Sequence, residues 1–411
     1  MPVSTSYPGI YIEELPLSAH AITPAPTSIA AFVGYTHPFK TKAEDFKTAV
    51  RLFSFSDYET KFGGLYTSGL VDANVARAVF QFFQNGGSDC YVVGLQPKLW
   101  DASGSLLSPP NTFGGANGVN FTATVPTQPA PNGMVFTALE LADQVPMKAS
   151  ISNLRAASPG SPLNKFDVII TYGLRVETFL GVVIGGAQKD APDTKINKVS
   201  TLVTVAPPSG GNFGTSIAAN TSVSFNIDPP QALQNLATTF SPQDFVEVFE
   251  ENSSLDKVEI FNLLIVPGVA DNLVLSGGLS FAERKRAFAI LDPPPNAPAD
   301  GAGAIDTLMP AFPKSQNGAL YFPYLLSTDP VTTTKIAVPP SGFVAGIYAA
   351  TDVSRGVWKA PAGLATTLKN TTGPVLNGLM NDPQQGVLNL ASVNCLRLFA
   401  SGGTVVWGAR T

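Results

Sequence analysis

The chain has 411 residues, 44% of them hydrophobic, and carries a net charge of −5. It is too long for one typical core and apolar enough to fill two or three, which excludes wholesale disorder. Charged residues are only 13% and form no basic run of the kind that tracks phosphates, so nucleic-acid binding is not expected.

Low charge suits a surface hidden against copies of itself, and a neutral surface rich in Ser, Thr and Asn explains it equally well. The charge is uneven. Beyond Pro340 five cations (Arg355, Lys359, Lys369, Arg397, Arg410) face two anions (Asp352, Asp382), so this region is +3 and the rest −8. Cys90 and Cys395 lie far apart in apolar runs and read as buried, reduced thiols. The start, MPVSTSYPG, has neither region of a secretory signal, and no window reaches the length of a membrane span. The protein is expected to be made and kept in the cytoplasm, unless a whole assembly leaves by lysis, without membrane insertion.

Gly9–Glu14 (GIYIEE) alternates as a short strand, and Leu15–Thr27 carries Pro16, Pro24 and Pro26. Such a linker reaches roughly 40 Å at about 3.3 Å per residue. The first strand is therefore tethered away from its own domain and must find a sheet edge elsewhere. Ser28–Tyr35 reads as a buried strand and Ser54–Gly64 as a short helix or turn. Asp72–Gly87 is a helix with Asp72 as N-cap, and Cys90–Leu95 is a second buried strand.

Composition changes near Gln96. Gly, Pro, Ser and Asn clusters then separate six β-type runs: Val119–Val125, Met134–Leu141, Phe166–Tyr172, Arg175–Val183, Val199–Val205 and Ser222–Ile227. Helices follow at Ser241–Asn252 and Ser276–Arg286, with buried strands at Ile260–Pro267, Ala287–Asp292 and Ala319–Tyr324. Ser341 caps a helix stopped by Gly356, and Asp382-Pro383 starts another. Val393–Phe399 and Thr404–Trp407 flank a hairpin or linker signal, Ala400–Gly403. The predicted fold class is α/β to α+β. A mixed-sheet core is built from 28–96 and 242–403, around an inserted, mostly β, outward-facing domain at 97–241. Extended arms occupy 1–27 and 404–411.

No catalytic constellation is visible. His20 sits in the proline-rich linker and His37 in a loop, with no GxSxG elbow or phosphate-binding fingerprint. Two histidines and two distant cysteines make no clustered metal site, so neither metal nor cofactor is expected. Trp358 reads as a packing anchor or interface residue.

Three stretches carry a family resemblance. Tyr7–Glu14 reads YPGIYIEE, Pro339–Gly363 reads PPSGFVAGIYAATDVSRGVWKAPAG, and Val393–Thr411 reads VNCLRLFASGGTVVWGART. Together they resemble contractile tail sheath proteins of myophage tails and phage-tail-like injection systems. The resemblance fades across the insert, apart from FDVIITYGLRVETFLGVV. It implies a non-enzymatic helical homo-polymer of hexameric rings around an inner tube protein, with baseplate and terminal cap proteins as further partners. Contraction would drive the tube through a target envelope. It also implies that strands at Ile10, Tyr11, Ile12 and Glu13, and at Val405, Val406 and Trp407, pair with neighbouring subunits. Arg355, Lys359 and Lys369 become candidates to face the tube. A non-contractile virion or surface-layer protein stays open as the alternative, and an enzyme on the α/β core is the more distant rival.

Overall fold

A computed structural model describes residues 26–98, 112–114, 118–186, 188–228 and 240–411. The first core strand, β1 (Ala30–Tyr35), is wholly buried and has the unbroken apolar run of a strand covered on both faces. β2 (Val50–Leu52) leads into α1 (Phe55–Phe62), where Ser54 caps the start and Gly63, at φ +87°, ends it. In α2 (Asn74–Gln84) the N-cap position belongs to Ala73, not Asp72 as expected. Asp72 lies one residue earlier, its carboxylate accepting from both the backbone and the side-chain amide of Asn74. β3 (Cys90–Leu95) completes the first part.

The inserted part holds β4 (Asn120–Pro126), β5 (Gly133–Ala138), β6 (Met147–Ala156), β7 (Leu163–Tyr172), β8 (Arg175–Val183), a short α3 (Pro192–Ile196), β9 (Val203–Ala206), β10 (Thr221–Ser224) and β11 (Asn226–Asp228). They form two four-stranded antiparallel sheets, ordered β10-β6-β7-β8 and β11-β4-β5-β9. Alternation decides what is inside. Phe121, Ala123 and Val125 on β4, and Met134 and Phe136 on β5, are buried, while Thr124 and Pro126 are exposed. β6 was not anticipated: MKASISNLRA holds only three apolar residues on its inward face before a bulge beyond Ser152.

The core resumes with α4 (Pro242–Val246), shorter than expected because the chain tightens into a 3₁₀ turn at Glu247–Phe249. Then follow β12 (Leu263–Ile265), α5 (Asn272–Lys285), β13 (Phe288–Leu291), α6 (Ile305–Leu308), β14 (Gly318–Phe322), β15 (Leu325–Thr328), β16 (Lys335–Val338), α7 (Ser341–Arg355), β17 (Gly373–Pro374), α8 (Asp382–Leu390), β18 (Val393–Phe399) and β19 (Gly403–Val406). β15–β17 form a small separate antiparallel sheet that the sequence reading missed.

One eight-stranded sheet unites both core parts in the order β19-β18-β14-β13-β12-β1-β3-β2. Its inner six strands are parallel, and an antiparallel strand flanks each side. β1 lies between β3 and β12, so Ala30–Phe32 pair with Leu263–Ile265 across the whole insert. α2 and α7 lie side by side on one face, where Phe32 meets Phe82, and Phe288 stacks on Tyr348. The Leu264 partner Ala289 points the opposite way from Phe288, and α5 covers that face with Gly278 over Leu264.

Candidate functional site

The predicted arm residues Ile10, Tyr11, Ile12 and Glu13 lie outside the described residues. The C-terminal strand does not extend beyond a free linker. Thr404–Val406 turn back through a hairpin and pair with Leu396–Leu398, leaving Val405 and Val406 buried. The outer edge of β19 is itself covered by residues 363–368. Gly363 N–H donates to Val406 O at 2.8 Å, Leu368 N–H donates to Thr404 O at 2.7 Å, and Val406 N–H donates to Thr366 Oγ1 at 3.2 Å. An edge strand with satisfied donors and acceptors offers no template to another chain. Trp407 leaves the strand, 37% exposed, with its ring 4.9 Å from Phe399 and its backbone held by Cys395 and Gln385.

Arg355, Lys359 and Lys369 are all exposed, and none forms an ion pair with a described residue. Arg355 ends α7, where a cation suits the carbonyl end of the helix. The Lys369 backbone is fixed by Asn85 at the C-terminus of α2, its N–H donating to Asn85 Oδ1 at 2.7 Å. Because α2 packs on α7, this bond keeps Lys369 on the scaffold that carries Arg355 and Lys359. Arg397 serves the fold instead: it reaches Asp382 at 2.5 Å and Gln385 at 2.7 Å, and covers the Phe399 ring.

The same region is unusually apolar on its surface. Eighteen large hydrophobic side chains are exposed among the described residues, and ten lie between 353 and 407. Trp358 is 84% exposed, packing only beside Gly356. A stretch so rich in exposed apolar side chains, and carrying unpaired cations, has the composition of a protein-contact region.

Two buried carboxylates escaped the sequence reading. Asp292, which follows β13, accepts from Gly268 N–H at 2.8 Å, Ser341 N–H at 2.8 Å and Ser341 Oγ at 2.5 Å. Ser341 is thus the first residue of α7, with Pro340 in the cap position, and its hydroxyl serves the core rather than a helix cap. Burial pushes the Asp292 carboxyl up to about 6, against these hydrogen bonds. Glu140 lies two residues beyond β5 and binds His37, Lys40 and Arg175. Burial pushes its carboxyl up, but His37 and Lys40 outweigh that and hold it at about 2. Glu140 had one visible signal, a lone acid in the apolar run TALELA. No group of three or more His, Cys, Asp or Glu among the described residues could hold a metal, and no described helix is long and apolar enough to cross a membrane.

Comparison with known proteins adds an independent observation. Residues 250–411 match the family described as phage tail sheath protein central domain. A prophage major tail sheath protein of Pseudomonas aeruginosa (strain UCBPP-PA14) is 28% identical over 153 residues, 36% of this chain. The match spans 38% of that relative's length. Among solved structures, the contracted sheath complex of the extracellular contractile injection system PVC aligns with all of this chain and 68% of its own, at 19% identity and a TM-score of 0.50. A sheath tail protein of Desulfitobacterium hafniense aligns with 97% of this chain and 74% of its own, at 12% identity and a TM-score of 0.49. At such identities the PVC likeness is one of fold.

Proposed function

Because the chain belongs, through residues 250–411, to the phage tail sheath protein family, we propose that it is a structural subunit of a contractile sheath, polymerising as stacked rings around an inner tube. The family match carries this reading, and the exposed apolar side chains and unpaired cations between 353 and 407 support it. The subunit would assemble in the cytoplasm of a bacterium, with inner tube, baseplate and cap proteins as partners, and would act by moving rather than by catalysis. The insert, whose sequence carries clusters of Gly, Pro and Ser, would face outward.

In this reading Ile10–Glu13 supply a strand to a neighbouring copy. Val405, Val406 and Trp407 take part in such exchange only when residues 363–368 leave the edge of β19. Deletion of Met1–Leu15 should leave a soluble, cooperatively folding chain that forms no long tubes by negative-stain microscopy. Tubes of parental length from that variant would sink the strand-exchange reading. Flat lattices from the parent, in place of hollow tubes, would favour a surface-layer protein.

Arg355, Lys359 and Lys369 would hold the tube through exposed ion pairs, each worth about 0.2–1 kcal/mol and so individually breakable on contraction. Reversing Lys359 and Lys369 to Glu should leave the fold intact and abolish retention of the tube in co-sedimentation. Tube retention equal to the parent's, with the same salt dependence, would make these lysines bystanders.

A further inference from the structure

The core and the insert meet at a charged joint that neither the family match nor the proposed assembly explains. His37 and Lys40 belong to the loop after β1, Glu140 follows β5 in one insert sheet, and Arg175 opens β8 in the other. His37 is wholly buried and Glu140 nearly so. His37 Nε2 lies 3.0 Å from Glu140 Oε2, while Nδ1 accepts from Phe39 N–H at 3.3 Å. Only the tautomer with its proton on Nε2 satisfies both contacts, so the ring is neutral and donates to the carboxylate. Lys40 Nζ and Arg175 share Glu140 Oε1, the latter at 2.6 Å.

The surroundings are otherwise apolar. The Tyr66 ring meets His37 edge-on at 5.1 Å, and Phe39 reaches into the insert to touch Phe113 and Phe121. A second, weaker tie runs from Ser68 Oγ and Gly69 N–H to Asp143. A buried carboxylate stripped of its partners costs more than it contributed when paired. Any rotation of the insert about Phe39 must strip Glu140 of both core partners at once. The resistance is therefore steep and not graded.

We propose that Glu140 is a latch that makes core and insert one rigid body, with His37 and Lys40 forming the core half and Arg175 tying the second insert sheet to the same carboxylate. The roles of the two cations differ. Lys40 crosses the joint, whereas Arg175 acts within the insert. Loss of either should therefore give different motions.

The test is a pulsed-EPR distance measurement on the full chain, spin-labelled through Glu283→Cys on α5 and Thr124→Cys on β4, both exposed. The otherwise unaltered chain should give a single narrow distance distribution. Glu140→Gln and Lys40→Met should each broaden it at least twofold, and Arg175→Met should leave it narrow, because the label on β4 shares a sheet with β5. Parental widths in both Glu140→Gln and Lys40→Met would overturn the latch, as would equal broadening by Arg175→Met. Should Glu140→Gln fail to fold, Lys40→Met decides alone, since its partly exposed side chain is removable without opening the core.

Discussion

Replacing Gly346 by alanine is expected to destabilise the core by about 2 kcal/mol, the reverse of what helix propensity predicts. Alanine in a helix interior is favoured over glycine by about 1 kcal/mol. At Gly346, however, a Cβ would stand 2.6 Å from Asn85 Cβ and 2.8 Å from Phe82 O. At Gly342, one turn earlier, it would stand 2.5 Å from both Cα and O of Ala78. These neighbours are largely the backbone of α2, which cannot turn aside as a flexible side chain can. Overpacking of this kind costs about 3 kcal/mol at the upper end of its usual range, so the clash wins. Gly386 in α8 is the internal control, with nothing within 4 Å of its added Cβ. Gly386→Ala should stabilise by about 0.5–1 kcal/mol. Urea unfolding of the two variants should show opposite shifts in midpoint. A neutral or stabilising Gly346→Ala would mean that α2 and α7 can part without cost.

Asp292→Ala should cost about 3 kcal/mol, because it leaves the buried N–H groups of Gly268 and Ser341 without an acceptor, at about 1–3 kcal/mol each. Asp292→Asn tests the pH dependence separately. Burial raises the folded pKa of Asp292 to about 6, from 3.8 when unfolded. As pH rises from about 4 to 6, the unfolded chain gives up this proton first. The stability Asp292 contributes is therefore fully present below about pH 4 and lost as pH climbs through 6. Two units amount to about 3 kcal/mol. Carboxylates with lowered pKa values, Glu140 and Asp256 among them, slope the other way and are unaltered by the substitution. The stability of the parent relative to Asp292→Asn should thus fall between pH 4 and 7. A constant difference would mean that Asp292 is already ionised at pH 4 in the folded chain.

Sequence patterning revealed most of the core because parallel strands buried on both faces write themselves as apolar runs. AAFVGY, CYVVGL and VNCLRLF need no tertiary information to be read, and Gly356 announces the end of α7. β6 escaped because its apolar alternation ends at Ile151 and the residues beyond, Asn153 to Ala156, are exposed or half exposed. β15 and β16 escaped because they are only four residues each, joined by the short turn DPVTTT. The carboxylates escaped for another reason. Glu140 meets His37 across 103 residues, and Asp292 meets Ser341 across 49, so neither constellation has a local spacing. The closure of β19 by 363–368 combines backbone bonds with bonds to the hydroxyls of Thr366 and Thr367, all across 35 residues or more, so it too has no local spacing. The glycines at 342 and 346 were legible as letters, but their meaning depends on where α2 passes.

The placement of β1 between β3 and β12 has a consequence for how the chain is made. Leu263 emerges from the ribosome more than two hundred residues after Tyr35. At about 5–20 residues per second, β1 waits about 10–45 s for β12. In that interval AAFVGY has CYVVGL as a partner on one side and lacks β12 along the whole of its other edge. The insert, by contrast, pairs β4 with β5 and β6 with β7 through short turns, so it can close while translation of the second core half is still under way. The order of birth is therefore insert first and shared sheet last, and the open edge of β1 must stay shielded until residue 265 has cleared the exit tunnel.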